Sequence, residues 1–304
     1  MSEAQVLAAT DAELGLTPVT KPRSTVTRAW EVFAENKLGL ASLGFVLFIL
    51  LFCFVGPLIY VTNQTNTDLS NYLCHPSASH LLGCNDLGYD ELGRLMVGGQ
   101  TSLEVGLAAA VVSVFFGTLY GAISGFAGGF IDALMMRIVD AGLSLPSLMI
   151  LMLLSVIFHP TTTTIIFIIA IFYWFGVARL VRGETLALRN REYVQAVKVI
   201  GGRPMRSVLR HIVPNAIGTI IVQATFAVAD SIQILAILGF LTLGVAPPAT
   251  DWGSMLSGGL NYIQGGNYWW LIYPPGVLII LTCISFNFIG DALRDAFETR
   301  LQRR

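Results

Sequence analysis

Charged residues are what this chain most lacks. Only 12% of its 304 residues are charged, against 54% apolar, and the mean hydropathy is +0.69. Soluble domains carry about 25% charge, and a chain of this size could not hide so much apolar surface from water. Signatures of intramembrane hydrolysis are missing too. H-E-x-x-H does not occur, and Ser144 sits in G-L-S-L-P, where a nucleophile elbow needs glycine in place of Pro146. Gly290-Asp291 lacks the first glycine of a G-x-G-D protease signature. No phosphate-cradling G-x-x-x-x-G-K-[ST] run is present either, so nucleotide would have to be bound by another polypeptide. A non-catalytic membrane role is what these absences leave.

What the chain does have is long uncharged runs. Six segments are long enough to span, at about 39–61, 100–127, 133–158, 163–182, 214–244 and 268–290, since about 20 helical residues cross a bilayer core. Pro146, Pro274 and Pro275 fall inside these segments and are expected to kink them. All but one of the 18 basic residues, the exception being Arg94, fall on one side of such an arrangement. The positive-inside bias makes that side the cytoplasm, with both termini there. The expected organisation is a cytoplasmic segment 1–38, a first transmembrane helix 39–61 retained as an anchor, and an external loop 62–99. A five-helix core 100–290 with a cytoplasmic loop 183–213 and a cytoplasmic tail 291–304 complete it. The fold class is all-α and polytopic.

The cytoplasmic loop is too polar to span and too well patterned to be slack. Tyr193, Ala196, Val197 and Ile200 recur at helical spacing, and Gly201-Gly202 stops that helix. Pro204 suits the first turn of a second helix with Val208, Leu209 and Ile212 on its apolar face, and Pro214 opens the fifth span. A bent, arginine-flanked helix pair results. It could lie on the membrane surface with its arginines among head groups, or it could be a docking element for a cytoplasmic partner.

The run QAVKVIGGRPMRSVLRHIVP resembles the E-A-A, three residues, G, nine residues, H-I-L-P loop of binding-protein-dependent ABC importer permeases, the MetI-like family. Gln195, Ala196 and Val197 stand at its E-A-A positions, Gly201 at its glycine, and His211 to Pro214 close it. MRIVDAGLSLPSL, GFLTLGVAPPATDWGSML and FNFIGDALRDAFETRL resemble further motifs of that family, so the likeness covers about residues 30–302. Its best match is the second permease of dipeptide and oligopeptide importers. The resemblance implies a type I importer fold of six spans in a bacterial inner membrane, and half of a pathway for a peptide. A homologous second permease, two ATPase subunits or a fused pair, and an extracytoplasmic binding protein would be its partners, and nucleic acid would not. This chain would bind no cofactor, ATP and Mg being held by the ATPases. Coupling would fall to Tyr193, Gln195, Ala196, Val197, Gly201, Arg203, His211 and Pro214. Relatives that carry nickel, haem or glycosides leave the cargo open, and a channel or ion-driven transporter is the alternative outside the family.

Polar residues within the spans are the remaining candidates. Asp230 lies near mid-bilayer, where a lone charge facing lipid costs at least about 2.5–3.5 kcal/mol. Gln233 shares its helical face. The pair either lines the pathway or makes a structural hydrogen bond to another helix. The family's usual span-five glutamate, counted back from Gly244, falls on Leu235. Asp140 and Arg137, three apart, are expected to form an internal ion pair or to gate against the loop. Gly117, Gly121, Gly125, Gly128 and Gly129 make a small-residue face for close helix packing. Tyr268, Trp269, Trp270 and Tyr273 read as an aromatic belt at the outer interface. Cys53 and Cys283 are packing residues. Cys74 and Cys84, beside His75 and His80, form either a disulfide or a Cys/His metal site that matches no strong zinc spacing, and no metal is expected.

Overall fold

A computed structural model of the chain describes residues 25–64, 66–158, 160–192, 194, 206, 208–262 and 266–302. These residues form helices and loops, with one isolated bridge between Cys84 and Asp90 and no strands among them. The helices are α1 (Thr25–Glu35), α2 (Lys37–Phe54), α3 (Gly56–Ile59), α4 (Glu91–Ala127) and α5 (Gly129–Ser144). They continue with α6 (Ser147–Ile157), α7 (Thr162–Leu188), α8 (Ile217–Phe240), α9 (Trp252–Leu260) and α10 (Tyr273–Gln302). Among the described residues five stretches are long and apolar enough to cross a membrane, and α5 with α6, bent by 82°, makes a sixth if the pair is one broken span.

The break follows from Pro146. Its ring disfavours helical backbone at the preceding residue, and Leu145 is extended at φ −80°, ψ 141°. Pro274 and Pro275 behave differently from the expected kink. They occupy the first turn of α10, where an absent N–H goes unmissed, so the last span starts after the aromatic run. Two other boundaries also move. Helix α4 begins at Glu91 rather than near 100 because the Asp90 carboxylate accepts the Gly93 amide at 2.8 Å and caps it there. Helix α7 runs on to Leu188, beyond the apolar segment that ends near 182.

The core forms where α2, α4, α8 and α10 meet, around Ile49, Leu103, Val228, Ile232 and Phe286. The most extensive helix contact is α4 on α7, and the glycine face makes it. A Cβ on Gly117 would lie 2.8 Å from the Trp174 carbonyl oxygen and one on Gly125 2.8 Å from that of Arg182. One on Gly121 would run into the carbonyl oxygen of Ala178. The packing role expected for this stripe is the one it has. Gly128 and Gly129, at φ 67° and 56°, instead form the tight turn from α4 into α5, in backbone that side chains disfavour. On the outer surface Phe48, Leu51, Val111, Phe115 and Phe167 are exposed, as lipid or a partner helix requires.

Candidate functional site

Near the C-terminal end of α4, four helices are tied by polar contacts. Asp132, in the first turn of α5, accepts two hydrogen bonds from Arg182 of α7, from Nε at 3.0 Å and Nη2 at 2.6 Å. It also accepts the Ser124 hydroxyl at 2.6 Å. Arg189 donates to the Gly125 carbonyl at 3.0 Å, and Thr219 of α8 to Glu184 at 3.2 Å. Asp140 pairs with Arg179 of α7, not with Arg137. Spacing on one helix favoured Arg137, but the facing helix supplies the geometry. The broken span is therefore clamped to α7, and α7 leads directly into the loop that sequence marked for coupling.

Most of that loop lies outside the described residues, including Tyr193, Gln195, Ala196, Val197, Gly201 and Arg203. Its end is described. Val208–Ile212 forms one π-helical turn, closed by the Val213 amide on the Val208 carbonyl at 2.9 Å. Val208 and Ile212 are fully buried in the main core with Ala292 and Ala296 of α10. Leu209, expected on the same apolar face, is exposed, because a five-residue turn rotates it off that face. His211 falls within the turn, and Pro214 lies exposed just after it. The loop thus returns to the bundle through a buried anchor.

On α8, Asp230 is half-buried and Gln233 exposed. Tyr173 of α7 and Cys283 of α10 lie within electrostatic range of Asp230. Gln223, Phe226, Asp230, Gln233, Ile237 and Phe240 recur at alternating spacings of three and four, so they share one stripe. No member of that stripe is fully buried within this chain. Leu235, where the family's glutamate was expected, is fully buried with Val105, Ile165 and Ile169, so it cannot serve the stripe.

The opposite end of α4 carries a compact cap. Cys74 and Cys84 are joined in a disulfide. Their sulfurs and a His80 nitrogen fall within 4.8 Å of one another, but the sulfurs are bonded to each other and His80 Nδ1 meets Asp90 Oδ2 at 3.0 Å. Asp90 also accepts the Tyr60 hydroxyl at 2.8 Å, which fastens the end of the first span to the start of α4. Trp270, expected in an interfacial belt with Trp269 and Tyr273, is 1% exposed. It donates to the Cys84 carbonyl at 3.3 Å and packs on His75 at 5.0 Å. Asp251 caps α9 through the amides of Gly253 at 2.8 Å and Ser254 at 3.0 Å. Burial pushes its carboxyl above the usual carboxylate range, against the opposing pull of donors on Ser254, Gly253 and Val245.

Residues 117–303 match the family profile described as binding-protein-dependent transport system inner membrane component. The chain belongs to that family. Residues 24–76 also match the N-terminal transmembrane domain of oligopeptide transport permease C. The dipeptide transport system permease protein DppC of Bacillus subtilis is 37% identical over 286 residues, covering 94% of this chain and 89% of that protein. The oligopeptide permease OppC of the same organism is 39% identical over 271 residues, covering 89% and 88%. OppC of Escherichia coli is 38% identical over 270 residues, covering 88% and 89%. Among solved structures, the MetNI methionine ABC transporter in inward-facing form aligns at TM-score 0.47 and 20% identity, over 63% of this chain and 93% of that one.

Sequence alone did not single out the buried acidic residues Asp132, Asp251 and Glu91. Asp132 had a usable signal, an acidic residue just beyond a glycine pair in an apolar run. Glu91 had none, because sequence places it in a polar loop where an acidic residue is unremarkable.

Proposed function

We infer that this chain is one permease half of an ATP-driven peptide importer in a bacterial inner membrane. The observation that carries the reading is its 37% and 39% identity, over most of its length, to dipeptide and oligopeptide permeases. The distribution of basic residues supports a cytoplasmic position for both termini and for the Arg182 junction. A homologous permease would face the Gln223–Phe240 stripe across the pathway. Two ATPase subunits, or a fused pair, would seat the loop around Tyr193–Gly201, and a binding protein would deliver peptide to the cap. The chain itself takes no part in hydrolysis and binds no cofactor; ATP and Mg belong to the ATPases.

Coupling then has a mechanical route. Closure of the ATPases displaces the loop, which is held at one end by α7 and at the other by buried Val208 and Ile212. A displaced α7 carries α5 with it through Asp132 and Arg182, so the broken span swings while the core of α2, α4, α8 and α10 stays packed. The two states need differ by only a few kcal/mol for nucleotide to bias them.

Two measurements test this. The purified chain should bring down an ATPase subunit, and Gly201→Trp should abolish peptide uptake in proteoliposomes while membrane insertion is unchanged. Full uptake by that variant would contradict the coupling role. On the pathway face, Asp230→Ala is expected to lower uptake about tenfold or more, with Asp230→Asn intermediate, because a charged hydrogen bond is worth about 1.5–3 kcal/mol. Normal uptake by both stably inserted variants would leave Asp230 a purely structural residue.

A further inference from the structure

The outer cap encloses a cavity of about 340 Å³ between the disulfide-bonded loop, the start of α4, the end of α8 and α9. Its polar lining includes Asp86, Glu91, Arg94, Ser254, Ser257 and Tyr262. Glu91 is the group that needs explaining. It is 2% exposed, and among the described residues its carboxylate receives no hydrogen bond. A carboxylate so deeply buried is stable only when something donates to it.

The neighbouring charged groups are already engaged. Asp90 accepts from Tyr60, His80 and the Gly93 amide. Arg94 donates to the Pro248 carbonyl at 3.3 Å and stacks over the Tyr89 ring at 4.7 Å. Asp86 accepts the Tyr262 hydroxyl at 3.3 Å. Burial, with contacts to Tyr72 and Asp86, pushes that tyrosine up to about 12, so it stays a neutral hydroxyl and adds no charge to the cavity. Two acidic groups, Asp86 and Glu91, share the cavity lining with one base, Arg94. Glu91 stands in the first turn of α4, where a helix N-terminus favours an anion.

We propose that this cavity receives the primary ammonium group of a peptide, with Glu91 as its ion-pair partner and Asp86 as a second acceptor. An ammonium is compact, carries one positive charge and offers three donors with no acceptor. That matches two carboxylates and the Ser257 hydroxyl, whereas a carboxylate or phosphate would meet like charge. The volume lies at the lower end of small-ligand sites, about 300–1,000 Å³, so it suits the first one or two residues of a peptide. The site faces the end of the bundle where solute would enter, and it rests on the peptide reading above.

The test uses the importer complex in nanodiscs without its binding protein, with tri-alanine and N-acetyl-tri-alanine as probes in saturation-transfer NMR. Wild-type protein should bind tri-alanine about tenfold more tightly than the acetylated probe, the low end for a charge-assisted hydrogen bond. Glu91→Gln should bring the two to equal affinity, and Asp86→Asn should narrow the difference if Glu91→Gln fails to fold. Equal binding of both probes to wild type, or undiminished discrimination in folded Glu91→Gln, overturns the site. A calcium-dependent rise in melting temperature that Glu91→Gln loses would overturn it in favour of a metal cation. Uptake of tri-alanine by the complete wild-type importer separates the two readings. Uptake without discrimination at Glu91 removes only the ammonium site, and no uptake removes the peptide reading as well.

Discussion

Gly121→Leu is expected to prevent α4 from seating on α7 and to leave the protein poorly folded in the membrane. Any Cβ at this position is driven into the Ala178 carbonyl oxygen, with the Arg182 amide nitrogen 3.0 Å away. Both are helix backbone, so no side chain can swing aside. Overpacking of a tight site costs about 1–3 kcal/mol. Alanine should therefore lose about 2 kcal/mol and leucine about 3 kcal/mol or more. Gly176→Ala, on α7 but with nothing within 4 Å of its Cβ, is the control. It should be neutral or gain up to about 1 kcal/mol from helix propensity. Melting in detergent, with size exclusion to report monodispersity, distinguishes the two. A stable, monodisperse Gly121→Leu protein would mean that α4 and α7 do not pack as described.

Breaking the Asp132–Arg182 pair is the second large effect, and it should be asymmetric. Asp132 is buried with its carboxylate committed to Arg182 and Ser124, while the Arg182 side chain is 34% exposed. Arg182→Ala strands a buried carboxylate, which costs about 3–5 kcal/mol when burial is complete. Allowing for screening at the exposed partner, about 2–3 kcal/mol is expected. Asp132→Ala leaves an arginine that can reach water, and should cost about 1–2 kcal/mol. The double variant should lose less than the sum, and the cycle measures the coupling. Uptake should fall in both single variants even where the protein remains folded, because α5 would no longer follow α7. If Asp132→Ala proves the more damaging, the stranded-charge account is wrong.

The glycine stripe and the Asp132 pair differ in how far sequence could reveal them. Four-residue spacing in an apolar run is visible in one dimension, and it announced a close-packing face whatever the partner helix. Asp140 shows the limit. Its neighbour at i−3 was the nearest cation in sequence, yet Arg179, on another helix, is nearest in space. Trp270 carried the same aromatic signal as Trp269, and only the disulfide-bonded loop folding over it distinguished a buried tryptophan from an exposed one.

Sequence by itself determined that the chain is a helical membrane protein of several spans and belongs with importer permeases. Hydropathy, basic-residue placement and motif spacing are local properties that need no neighbour to be read. The tertiary structure alone decided that α5 and α6 meet at a sharp bend with α5 clamped to α7, and where the cap hides Glu91. Those outcomes depend on which helices face one another, and a charge buried between elements has no one-dimensional signature. Scarce charge was the chain's first feature, and the few charges it buries are the ones that packing had to place.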